Sequence, residues 1–165
     1  MNLIMEKQLK IHQKASLTNL YFNRFLAIRY STALFLFLNL YWLVFLLGSL
    51  SFMAILPAII FILGTLTSFE QIKLYRQHQN RLPFAKLFYQ TIFISYCMVT
   101  ITVYSSLFHL FFPFLKVAPT TLSTIFALLL GCLTISLLML YKLKKIECNK
   151  DKHYQRILAY QAIIN

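Results

Sequence analysis

Residues 30–69, 87–115 and 117–141 contain no Asp, Glu, Lys or Arg, and the polar residues between them fall in short segments rich in Lys, Arg and Gln. A helix rises about 1.5 Å per residue and the hydrocarbon core of a bilayer is ~30 Å thick, so about 20 apolar residues make one crossing. The first run is long enough for two crossings and the other two hold one each. The pattern predicts an all-α four-helix transmembrane bundle with spans over about residues 30–47, 52–68, 84–107 and 121–141. Gly48, Ser49 and Ser51 supply a tight hairpin between the first two spans. Pro57 falls within the first turns of the second span, where a lost backbone hydrogen bond matters least. Asn80 followed by Pro83 marks a helix start near Leu82, and Pro113 and Pro119 break helix in the loop 109–120.

The segments outside the spans are short. Residues 1–29 read as a basic arm with a loose apolar face (Ile4, Leu9, Ile11, Ala15, then Tyr21, Phe22, Phe25, Leu26), which fits either an amphipathic helix on a membrane surface or a solvated, frayed end. The arm is longer than the positive region of a signal peptide, and the apolar run behind it is too long for a cleavable signal. Residues 69–86 extend the second helix past the membrane. Residues 142–165 start strongly basic and end apolar, with Tyr154, Ile157, Leu158 and Ile164 near one helical face, ready to dock on the protein's own loops, the membrane or a partner. Tyr41 and Trp42 lie toward one end of the first span, and Tyr141 ends the fourth, where interfacial aromatic residues are expected.

Charge then sets the expected orientation. The chain has 16 Lys and Arg against 4 Asp and Glu, a formal net charge of +12. All the basic residues except Lys116 flank the same side of the spans. Positive loops stay in the cytoplasm, so both termini are expected inside a bacterial cytoplasmic membrane. Lys7, Lys10, Lys14, Arg24, Arg29, Lys73, Arg76, Lys142, Lys144 and Lys145 are the expected contacts for an anionic inner leaflet. Because these residues flank apolar spans, the charge does not call for nucleic acid as a partner.

Candidate chemistry is sparse. Ionisable groups inside a membrane usually mark an ion or substrate path, and here only His109 comes near one, at the edge of the third span. A proton-coupled small multidrug transporter needs a membrane carboxylate, whereas Glu6, Glu70, Glu147 and Asp151 all lie outside the spans. These acids form no evident acid–base pair, and His12, His78 and His153 have no ligand-spaced Cys or Asp. Asp151 and His153 are two apart, which does not bring them onto one helix face, and they read as solvated polar groups. Cys97, Cys132 and Cys148 read as small apolar residues. No catalytic residue, cofactor or metal is expected.

The helix faces carry more. Tyr89, Phe93, Tyr96, Thr100 and Tyr104 form a stripe on the third span, Ser123, Ala127 and Gly131 repeat every four residues on the fourth, and Ala54, Ala58, Thr65 and Ser68 share a face of the second. Small residues let membrane helices approach closely, and the tyrosines are expected to pack into such a groove, either within the bundle or against a partner. Asn39 is placed to bond a neighbouring helix. An internal echo relates residues 62–67 (Ile-Leu-Gly-Thr-Leu-Thr) to 129–134 (Leu-Leu-Gly-Cys-Leu-Thr), which fits either two tandem hairpins or chance in a chain rich in Leu, Phe and Thr.

The stretch Asn23-Arg24-Phe25-Leu26-Ala27-Ile28-Arg29-Tyr30, followed by Asn39-Leu40-Tyr41-Trp42, resembles a group of small, largely uncharacterised four-span membrane proteins of Gram-positive bacteria. Some of these carry a label linking them to the cellobiose phosphotransferase system. The resemblance covers about 20 residues and implies no activity. Three functions stay open. The first is a non-enzymatic accessory or regulatory subunit working with a membrane protein partner or as a homo-oligomer. The second is an immunity-type protein against a membrane-active peptide or toxin, and the third is a small uncoupled transporter or channel.

Overall fold

The computed structural model describes residues 2–76 and 81–164, with side chains for residue 8, 15–74 and 81–162. Asn80 and His78, and the side chains of Lys7, Lys10, Lys14, His12 and Arg76, lie outside that set. The chain forms α1 (Asn2–Gly48), a short 3-10 turn (Phe52–Ala54), α2 (Ile55–Arg76), α3 (Pro83–Thr102), α4 (Phe108–Phe111), α5 (Pro119–Glu147) and α6 (Lys152–Ile164). Among the described residues four helical segments are long and apolar enough to cross a membrane: Ala15–Gly48, Phe52–Leu74, Pro83–Thr102 and Pro119–Ala162.

The arm and the first span are one helix. No Pro or Gly interrupts residues 2–47, so α1 continues for 47 residues, about 70 Å at 1.5 Å per residue. It ends in a Schellman motif: Leu50 N–H bonds the Leu47 carbonyl (3.0 Å) and Ser51 N–H bonds the Leu46 carbonyl (3.0 Å). The left-handed residue there is Leu50 (φ 51°), not the neighbouring Gly48, which costs about 1 kcal/mol or more of backbone strain.

The third span is shorter than its hydropathy predicts. Helix α3 stops at Thr102 because Val103 and Ser105 N–H groups turn back three residues, to Thr100 and Thr102 carbonyls, and the Ser105 hydroxyl bonds Thr102 as well. Hydroxyl side chains that offer the backbone such alternatives end helices in this way. Pro119, expected in a loop, is instead the first residue of α5, where its missing N–H is not needed. At the other end of the bundle, α3 opens on Pro83 with Leu82 as an N-cap that has no side-chain acceptor. Glu70 of α2 supplies one, its carboxylate accepting from Phe84 N–H (3.3 Å) and Ala85 N–H (3.0 Å).

Packing runs in order along the chain: α1 on α2, α2 on α3, α3 on α5, while α5 meets α1 only sparsely and α6 returns to pack on α1. The core gathers on α3, where Ala85, Phe88, Tyr89 and Ile92 are fully buried. Fully 39% of the most apolar stretch of α3 is buried within the chain, against 17% for α5. Helix α3 is the centre of the bundle and α5 its least covered member. The end of α2, the start of α3 and the α5–α6 junction lie at one end, called the basic end below, and the α1–α2 turn and the segment between α3 and α5 lie at the other, the hairpin end.

Candidate functional site

At the basic end a charged pair closes the fold. Arg24 of α1 has no exposed surface and Asp151 has 7%. Arg24 Nε donates to both Asp151 carboxylate oxygens (2.9 and 3.1 Å), and its Nη2 donates to Oδ1 (2.6 Å). The same Nη2 donates to the Ile146 carbonyl (3.1 Å) and to Asn149 Oδ1 (2.9 Å), and the guanidinium lies 4.9 Å from the Tyr154 ring centroid. Local structure explains how these groups converge. Helix α5 ends in a second Schellman motif, with Asn149 at φ 54°, a conformation Asn tolerates better than most residues. Two residues later Asp151 starts α6, accepting from Tyr154 N–H (3.2 Å). One carboxylate therefore caps a helix and neutralises a buried cation. A buried pair offsets its desolvation only with close, multiple hydrogen bonds, and this one has them. Fully buried Ile157 completes the docking of α6.

About two turns further into the bundle, at Thr32, the polar groups are neutral. The Thr32 hydroxyl donates to the Ile28 carbonyl (2.8 Å), accepts from Gln71 Nε2 (2.9 Å) and lies 3.0 Å from the Tyr89 hydroxyl. Tyr89 also donates to the Ile28 carbonyl (3.0 Å), so this cluster ties α1, α2 and α3 together. Deeper still, Asn39 Nδ2 donates to the Phe35 carbonyl (2.7 Å) and to the Tyr96 hydroxyl (3.2 Å). Asn39 Oδ1 is buried without a hydrogen-bond partner.

At the hairpin end the contacts are aromatic. Trp42 stacks on Phe112 (centroids 5.7 Å apart, planes at 17°), meets Tyr96 edge-on at 6.3 Å, and donates to the Phe111 carbonyl (3.0 Å). Beside it lies an apolar cavity of about 270 Å³ between α1, α3, α5 and the segment that follows α4.

The expected residues divide three ways. Asn39, Ala54, Tyr89 and Tyr96 are buried in the bundle, Ala58, Thr65 and Thr100 are half-buried, and the hydroxyls of Thr65 and Thr100 bond their own helices. The tyrosines pack mainly on α1 rather than in the small-residue groove, because Asn39, Thr32 and the Ile28 carbonyl provide their hydrogen bonds. Tyr104 leaves the stripe, 65% exposed beyond the end of α3, with its ring against Phe126. Ser123, Ala127 and Gly131 are all exposed, and a Cβ on Gly131 would meet nothing within 4 Å. The close approach belongs to its echo, Gly64, where a Cβ would lie 2.6 Å from Leu36 Cδ2 and 3.0 Å from Phe88 Cε2.

Among the expected headgroup contacts, Arg24 is corrected: a fully buried guanidinium bonded to Asp151 does not face lipid. Arg29 is half-buried, reaching the Gln71 carbonyl (3.4 Å) and lying 4.4 Å from the Phe22 ring centroid. Lys73, Lys144 and Lys145 are exposed and Lys142 is half-buried. Asp151 is likewise corrected from a solvated group to half of the buried pair. The sequence gives no sign of the roles of Asn149, Gln71 and Thr32, and it marks Gly64 only as the echo of Gly131. A signal for Asp151 did exist, since it is one of only four acids and directly follows a helix-ending Asn-Lys.

Comparison of this chain with protein-family models, with curated proteins and with solved structures finds no match. Among the described residues no three His, Cys, Asp or Glu side chains come together as a metal site.

Proposed function

We propose that this chain is a non-enzymatic accessory or regulatory subunit of a bacterial membrane complex, crossing the cytoplasmic membrane four times with both termini inside. The observation that carries the reading is the state of α5. Its neighbours leave most of it uncovered, and the uncovered surface includes the small residues Ser123, Ala127 and Gly131. Lipid tails are as apolar as leucine, so a membrane helix is held against a partner by fit rather than by hydrophobicity, and small residues provide that fit. The basic end adds attraction to an anionic inner leaflet through Lys73, Lys144 and Lys145.

The test is purification of the tagged protein from its native membrane in mild detergent, wild type beside Gly131→Leu. The reading expects a stoichiometric membrane protein with the wild type, lost from the variant while the variant's own melting temperature stays unchanged. A wild-type chain recovered alone overturns it, and protection of a sensitive host by this chain expressed alone would establish the immunity function instead. Orientation rests on Cys148, exposed at the basic end. An impermeant maleimide should label it only after cells are opened, and labelling of intact cells would reverse the topology.

A further inference from the structure

The cavity at the hairpin end points to a ligand. Its floor is buried or half-buried: Trp42 on α1, Tyr96 on α3 and Leu129 on α5. Its rim is exposed: Tyr41 on α1, Phe114 after α4, and Leu128 on α5. The opening therefore lies along the seam where α1 and α5 barely meet. Trp42 is six residues before the end of α1, about 9 Å along the axis, so the seam opens within the apolar span rather than above it.

The lining chemistry selects the occupant. Of the two polar groups on the floor, Trp42 Nε1 donates to the Phe111 carbonyl and the Tyr96 hydroxyl accepts from Asn39 Nδ2, which leaves the Tyr96 O–H as the single donor there. A water entering this space would lack the two to four polar partners that hold buried water, and apolar cavities of this kind stay dry. An empty hole forfeits dispersion contacts all round its wall. The medium at the mouth is hydrocarbon, and a hydrocarbon chain restores those contacts without needing a hydrogen bond. The volume of about 270 Å³ holds about nine groups of the ~30 Å³ that a water occupies in the liquid, which matches a flexible chain of methylenes better than a packed helix.

We propose that the cavity is a binding site for one acyl chain of a bilayer lipid, which enters between α1 and α5 and packs against Trp42. The site rests on the membrane placement of the spans and is independent of the subunit reading, since α5 can present its small residues to a partner whether or not the seam holds lipid.

Trp42 is the only tryptophan in the chain, so its fluorescence reports on this cavity alone. The experiment places full-length protein in phosphatidylcholine vesicles whose acyl chains are brominated midway, and compares the wild type with Ile125→Phe, which fills the cavity from α5. Wild-type Trp42 should be quenched at low fractions of brominated lipid, at least twofold more strongly than in the filled variant. Should Ile125→Phe fail to insert, Leu115→Phe fills the same space from the loop side. Equal quenching in wild type and filled variant overturns the site, because the lipid contact would then be that of the outer surface. Quenching of the wild type by aqueous iodide overturns it too, by showing a wet cavity. So does a wild type that escapes lipid quenching because a second copy or another helix seals the seam, a case that cross-linking between chains carrying Tyr41→Cys and chains carrying Leu128→Cys would reveal.

Discussion

The two ends of this bundle are closed by opposite means. At the basic end a buried guanidinium and carboxylate, with Asn149, Tyr154 and the Ile146 carbonyl, hold α6 against α1. At the hairpin end rings lie against rings, and a cavity remains. Ionic and hydrogen-bonded contacts are directional and penalise a missing partner heavily, so the basic end tolerates few alternatives. Aromatic and aliphatic contacts are individually small and forgiving of gaps. The end closed by ions is the one where α6 docks, and the end closed by rings is the one that keeps a cavity.

The sharpest way to break this contrast is at Arg24. Arg24→Leu leaves Asp151 buried without its partner, and loss of one member of such a pair costs about 3–5 kcal/mol. The expected readout is release of α6, seen as rapid proteolysis after residue 148 while the four spans stay protected. Arg24→Leu with Asp151→Leu should recover much of the loss. Equal sensitivity of wild type and single variant would show that Ile157 and its apolar neighbours hold α6 unaided.

A second comparison sets the two echoed glycines against each other. Gly64→Val drives a branched side chain into Leu36 and Phe88, an overpacking that costs about 1–3 kcal/mol. Gly131→Val meets open space and should stay within about 0.5 kcal/mol for the isolated chain. Thermal unfolding in detergent distinguishes them, and equal losses would mean that α5 packs more closely than described.

The weakest coupling between two residues is expected deepest in the bundle. Membrane hydrogen bonds average about 0.6 kcal/mol in double-mutant cycles, and Asn39 already leaves one acceptor unpaired. Asn39→Leu and Tyr96→Phe should each cost about 1 kcal/mol or less, and the double variant should be nearly neutral, because replacing both partners leaves no polar group stranded. A coupling well above 2 kcal/mol would show this pair to be a principal tie of the fold.

How much of this was legible in the chain differs from residue to residue. The four long apolar segments and the helix start near Pro83 follow from hydropathy and from a ring that cannot donate a hydrogen bond, whereas Pro119 reads equally as a loop breaker and proves to be the first residue of α5. The early end of α3 was masked by its own hydropathy, since residues 103–107 are apolar enough to continue a span while their hydroxyl neighbours turn the backbone back. The tyrosine stripe was visible as a periodicity, yet nothing in a periodicity says which helix it faces, and it faces α1.

The same limit governs the rest. Charge-free length, the uneven distribution of Lys and Arg, and proline position are properties of neighbouring residues, so the sequence alone determined that the chain is helical, has four segments fit to cross a membrane and keeps every Lys and Arg but Lys116 out of the two connections at the hairpin end. Pairing is a property of distance in space. Arg24 and Asp151 lie 127 positions apart, and only the return of α6 onto α1 turns an apparent headgroup contact and an apparent surface acid into one buried bond. Gly64 and Gly131 sit in near-identical local sequence, and only the crowding of Leu36 and Phe88 around the first makes it a packing residue while the second stays open.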